Sequence, residues 1–139
     1  MTRKLFVCLP LVAVFFIAGC GNNHQLTGTV TFTDGNPVPR GMVLFTAEGD
    51  AFQARGQIRP DGTYIVGALT DRDGLPPGEY RVHVTDITKT SSGTGGVGMP
   101  VPLVLERYFS DVTSGLTVTV PAPGNRFDIV LEPHPVNYP

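Results

Sequence analysis

Three histidines, two loop aspartates, one run of glycines and a pair of adjacent aromatics are where this chain could do chemistry. Nucleophilic catalysis needs a nucleophile held within reach of a base. His24, His83 and His134 are widely separated, and only His83 falls inside a patterned segment, beside Arg81. No serine stands in a strand-to-helix elbow pattern. His83 therefore reads as a solvated surface histidine, and no catalytic residue is expected. Asp71-Arg72-Asp73-Gly74 places two carboxylates two residues apart before a glycine. Hard cations want several oxygens in one concave loop, and no acidic residue follows at the closing position. Asp71 and Asp73 are the candidate metal ligands, but the pattern is that of an ordinary turn, and no metal or cofactor is expected. Gly93-Thr94-Gly95-Gly96 lacks the lysine and the following helix of a phosphate loop. Tyr108 and Phe109 offer ring faces on which a sugar could stack. Neighbours on a strand point to opposite faces, so one of the two is expected in the core.

The most specific signal is at Cys20. Arg3 and Lys4 precede an apolar run of 14 residues from Leu5 to Ala18, interrupted only by Pro10. A charged start and a short apolar stretch are the layout of a secretory signal. A membrane-spanning helix needs about 20 apolar residues, and Gly19, Asn22 and Asn23 end this run too early. A buried core helix would leave the positive start and the terminal cysteine unexplained. The segment closes Ile17-Ala18-Gly19-Cys20, which resembles a bacterial lipobox. That resemblance implies a diacylglycerol on the Cys20 thiol, cleavage just before it, and acylation of the new amino terminus, palmitate being one such acyl group. The rival is an ordinary cut near Ala18. No aspartate follows Cys20 to mark inner-membrane retention, so the expected location is the outer membrane or a periplasm-facing surface. Cys8 leaves with the signal, and the mature chain then has no free thiol for a disulfide.

Composition narrows the rest. Of 139 residues, 17 are Gly and 13 are Pro, and charged residues make up 16%. Such a chain is neither a coiled coil nor a charge-driven disordered tail. Without Arg3 and Lys4, 8 basic residues face 12 acidic ones, and no basic patch is visible, which argues against a nucleic-acid partner. The expected organisation is a signal peptide at 1–19, an acylated cysteine and short tether at 20–25, a β domain at 26–132, and a proline-rich tail at 133–139. Five extended tether residues reach at most about 17 Å, which would hold the domain close to a bilayer.

The elements that must position these residues are strands. Leu26, Gly28, Val30 and Phe32 alternate with four threonines through Thr33, the pattern of a half-buried strand. Further alternating segments are Gly41–Ala47, Gln53–Arg59, Thr63–Val66, Glu79–Thr85, Leu116–Val120 and Phe127–Leu131. Pro60-Asp61-Gly62 predicts a hairpin between the third and fourth of these. Ser110–Ser114 predicts a single turn. The segment 87–102, rich in Gly, Pro, Ser and Thr, reads as a long loop with room for function. Seven short alternating strands predict an all-β, seven-stranded antiparallel β-sandwich of immunoglobulin-like type. Tyr80 is expected to bury its ring and give its hydroxyl to a loop carbonyl.

Four segments in this order carry a family resemblance: Leu26–Val38, Pro60–Tyr64, Leu75–Val82, and Glu106–Ser110 with Thr113–Val118. Together they resemble the carboxypeptidase regulatory-like domain of the transthyretin-like, or prealbumin-like, sandwiches, over roughly Leu26 to Glu132. The resemblance implies a non-catalytic accessory domain, here on a lipoprotein. Its implied partners are membrane lipid through Cys20 and an envelope protein, with a glycan or small ligand as the alternative.

Overall fold

The computed structural model describes residues 22–50, 52–68, 70, 73–91 and 98–135. The signal peptide, Cys20, Asp71, the glycines at 93–96 and the end of the tail lie outside the described residues.

Among the described residues there are nine strands: β1 (Thr27–Phe32), β2 (Met42–Ala47), β3 (Gln53–Gln57), β4 (Thr63–Ile65), β5 (Gly78–Thr85), β6 (Thr88–Thr90), β7 (Pro100–Pro102), β8 (Leu116–Val120) and β9 (Ile129–Leu131). They form three sheets, ordered β4-β1-β9, β3-β2-β5-β8 and β6-β7. This is an all-β domain of several sheets, consistent with a β-sandwich. Each of the seven expected segments holds a strand, but the count among the described residues is nine rather than seven. The two additional strands, β6 and β7, arise within the expected loop 87–102.

Alternation explains which face each strand buries. Val43 and Phe45 of β2, Tyr80, Val82 and Val84 of β5, Val118 and Val120 of β8, and Ile129 and Leu131 of β9 all enter one core. Their polar neighbours Arg81, His83, Thr117 and Thr119 stay on the other face. Each fully buried side chain of this size contributes roughly 1.5–3 kcal/mol. Phe45 and Tyr64 meet across the two larger sheets with ring centroids 6.2 Å apart.

Three expectations are corrected. The sheets are not wholly antiparallel, since β1 and β9 run parallel, with Val30 opposite Ile129 and Phe32 opposite Leu131. The turn at Pro60-Asp61-Gly62 exists, with Gly62 at φ +84 and its N–H donating to the Arg59 carbonyl at 2.8 Å. It closes the expected hairpin at its base, where the Arg59 N–H donates to the Thr63 carbonyl at 2.9 Å, but the two strands then part into different sheets: β3 pairs with β2 and β4 pairs with β1. Ala54 and Gly56 of β3 and Tyr64 of β4 are buried, so the core is filled from both sides of a corner. Farther from the turn, Arg55 and Gly67 exchange two N–H···O bonds of 3.0 Å and tie the arms again. Finally, the described residues of 87–102 include an antiparallel strand pair, β6 with β7. Ile87 and Val101 are buried, and Leu103 donates its N–H to the Ile87 carbonyl at 3.0 Å. Two well-placed apolar anchors outweigh the loop-like composition around them.

Two flanking segments are pinned by backbone pairing. His24 and Leu75 exchange N–H···O bonds of 2.7 and 2.8 Å. Beyond β9, Val104 bridges Pro133, and the His134 N–H donates to the Leu103 carbonyl at 2.8 Å.

Candidate functional site

The histidines do not converge. His24 sits beside Leu75, His134 beside Leu103, and His83 midway along β5. His83 is half-buried, and its Nδ1 is buried without a hydrogen-bond partner. Burial pushes its pKa below the ordinary value, and the Asp111 carboxylate pulls the other way. Arg81, on the same face, is clamped between Asp50 at 2.7 Å and Asp111 at 3.1 Å. Among the described residues, that clamp occupies the one cation of a groove of about 280 Å³ along β5 and β8, which Glu48 and Glu79 also line.

Asp73 is spent on its own loop. Its Oδ1 accepts from the Ala68 N–H at 2.6 Å and its Oδ2 from the Thr70 N–H at 3.2 Å. Among the described residues no group of three or more His, Cys, Asp or Glu side chains is placed to hold a metal.

The aromatic pair is separated by the fold, though not in the expected way. Tyr108 and Phe109 lie in a 3-10 turn, Glu106–Phe109, rather than on a strand. Tyr108 is 4% exposed. Its hydroxyl accepts from the Arg107 guanidinium at 2.8 Å and from the Glu132 N–H at 3.4 Å. Arg107 also covers the ring, 4.7 Å from its centroid, and pairs with Glu132. No open face of Tyr108 is left for a sugar to stack on. Phe109 packs its inner side against the core and turns the remainder to an open cleft of about 550 Å³.

Three segments line this cleft: the end of β5, the β6–β7 hairpin and the 3-10 turn. β5 contributes Thr85, and Asp86 follows with φ 58. Aspartate tolerates that left-handed conformation better than most residues, and it redirects the chain into β6. The Thr85 hydroxyl donates to Asp86 Oδ2 at 3.3 Å. The hairpin adds Thr88, Pro100 and Pro102, and the turn adds Glu106 and Phe109. Side chains on a strand alternate, and Lys89 accordingly faces a smaller cleft across the hairpin, with Asp34 and His134. Among the described residues the larger cleft thus has two carboxylates, two hydroxyls, an aromatic edge and two proline walls, with no cation in its lining. None of the four ion pairs among the described residues involves Asp86 or Glu106.

Such an arrangement can hold a ligand by hydrogen bonds and charge, with apolar walls to exclude water. Sequence reasoning reached Phe109 but missed Asp86 and Glu106. Their only sequence signal is a pair of acidic residues flanking the stretch read as a loop. No protein-family model matches the chain, and no curated protein matches it either.

Proposed function

We propose that this chain is a lipid-anchored protein of the bacterial cell envelope, facing the periplasm or held at the outer membrane. One carboxypeptidase regulatory-like, transthyretin-like β-sandwich then serves, without catalysis, as a structural or protein-binding module. The charged start, apolar run and Ile17–Cys20 motif support the anchor. The observation that carries the binding role is the cleft between β5, the β6–β7 hairpin and the Glu106–Phe109 turn. A free strand edge adds to it: outside the pairing with β5, no backbone-to-backbone bond among the described residues involves Leu116–Val120. Unpaired edges accept an added strand from a partner.

Cross-linking in intact cells, followed by mass spectrometry, tests the reading. One reproducible envelope protein is the expected result, and recovery of nothing but lipid would remove the binding role. A carbohydrate-binding module is the second reading, favoured by Phe109 sharing its cleft with two hydroxyls and two carboxylates. Glycan that stays with the purified protein would select it. The anchor has its own test. Cys20→Ala should leave the chain uncut and unacylated, and an unchanged mature mass in that variant would refute the lipoprotein assignment.

A further inference from the structure

We infer that the cleft receives a basic side chain, arginine or lysine, carried by a segment of a protein partner. This rests on the protein-binding reading and names the chemistry that the partner must present. Charge comes first. Asp86 and Glu106 are exposed and have no ion-pair partner among the described residues, while Lys89 lies across the hairpin. Two carboxylates in one concavity favour a cation and repel an anion. A guanidinium or ammonium makes charge-assisted hydrogen bonds to such groups.

The walls fit the rest of that side chain. Pro100, Pro102 and the open side of Phe109 offer apolar surface. Lysine and arginine lay their aliphatic stems on such surface while the charged head reaches polar groups, and an aromatic ring adds attraction for the cation. The Thr85 and Thr88 hydroxyls can accept further donors.

The hairpin decides how the partner is read. Leu103 donates to the Ile87 carbonyl, and the Met99 carbonyl accepts from Ser91. Odd-numbered residues of this stretch therefore direct their backbone groups toward β6. Pro100 and Pro102 occupy the alternate positions, where an N–H would point outward. Proline has no N–H to give, so the outer edge of β7 cannot act as a template for an added strand. Recognition at this cleft is by side chains, unlike any pairing at the free edge of β8.

The test uses the purified full-length chain in a neutral detergent. The probe is a fluorescein-labelled peptide of glycine and serine carrying two arginines, and its control has citrulline, neutral and nearly the same shape, in their place. Fluorescence anisotropy reads the binding. The arginine peptide should bind about ten-fold more tightly than the citrulline peptide. The double variant D86N/E106Q should lose about ten-fold in affinity, whereas E48Q/E79Q, with the same change of net charge, should stay within about two-fold. Asparagine tolerates the backbone conformation of Asp86, and an unchanged melting temperature identifies a folded variant. Phe109→Leu should weaken binding with both carboxylates in place.

Equal binding of the two peptides, equal losses in the two double variants, or no binding of the arginine peptide would each overturn the inference. Displacement of the probe by a neutral oligosaccharide would replace it with the carbohydrate reading. A cross-linked protein partner whose contacts map away from Asp86 and Glu106 would sink the inference and leave the module reading standing.

Discussion

Gly28 shows how the size of one residue governs a sheet contact. A Cβ there would lie 1.9 Å from the Phe127 carbonyl oxygen and 2.7 Å from the Tyr64 hydroxyl. Tyr64 donates its hydroxyl to that same carbonyl, and burial pushes its phenol well above the ordinary value. Gly28→Ala must therefore displace backbone rather than a flexible side-chain tip. It should cost about 2–3 kcal/mol of stability in urea unfolding. His83 gives the pH-dependent counterpart. Its pKa is lowered in the fold by burial, against the pull of Asp111. The unfolded chain takes up the proton first, at its ordinary value of 6.5. Stability is thus present above that value and declines as pH falls through it toward the lower folded value. His83→Gln removes this dependence. Comparing melting temperatures at about pH 7.5 and about pH 5.5 should show a smaller acid-induced drop in the variant than in the wild type.

At the scale of elements, the β6–β7 hairpin decides the character of the site. It is held by Ile87, fully buried, and by Val101, 8% exposed. Ile87→Ala should cost about 2–5 kcal/mol by leaving a cavity, read as a lower midpoint in urea. The two prolines of β7 have a separate role, because they deny its outer edge to other strands. Restoring both N–H groups with Pro100→Thr and Pro102→Thr should produce concentration-dependent association. Sedimentation velocity checks this, and a variant that stays as dispersed as the wild type would refute the role assigned to the prolines. The stretch from Pro76 to Tyr80 shows the opposite kind of element, legible from residue types alone. Pro-Pro-Gly leads into β5, and Tyr80 gives its hydroxyl to the Pro76 carbonyl at 2.7 Å, as its sequence context predicts.

For the whole molecule, the direction of the strands sets what faces where. His24 is paired with Leu75, just ahead of β5. β1 runs away from His24 for six residues, a length of roughly 20 Å. It ends at Phe32, which lines the same cleft as Lys89 and Leu103 of the hairpin region. The tether and the hairpin thus occupy opposite ends of the domain. If Cys20 is acylated as proposed, the loop at Pro77 lies near the bilayer and the turn at Asp34 lies far from it. Fluorophores on Pro77→Cys and Asp34→Cys, in vesicles with a headgroup quencher, should be quenched more strongly at position 77. Equal quenching, or the reverse order, would refute this orientation.

The residue pattern alone determined the strands that bury alternate side chains, the turn at Asp61-Gly62 and the Tyr80 brace, because each rests on neighbours a few positions apart. The positive start, the apolar run and Cys20 are equally local. Only the tertiary structure decided the parallel pairing of β1 with β9, the corner that sends β3 and β4 to different sheets, and the separation of Tyr108 from Phe109. It also brought Asp86 and Glu106 to one cleft. These depend on pairings that local pattern does not choose, some between residues as distant in the chain as Val30 and Ile129, where packing against a shared core outweighs local preference. Alternation says which side of a strand is apolar, but it does not say which strand lies beside it.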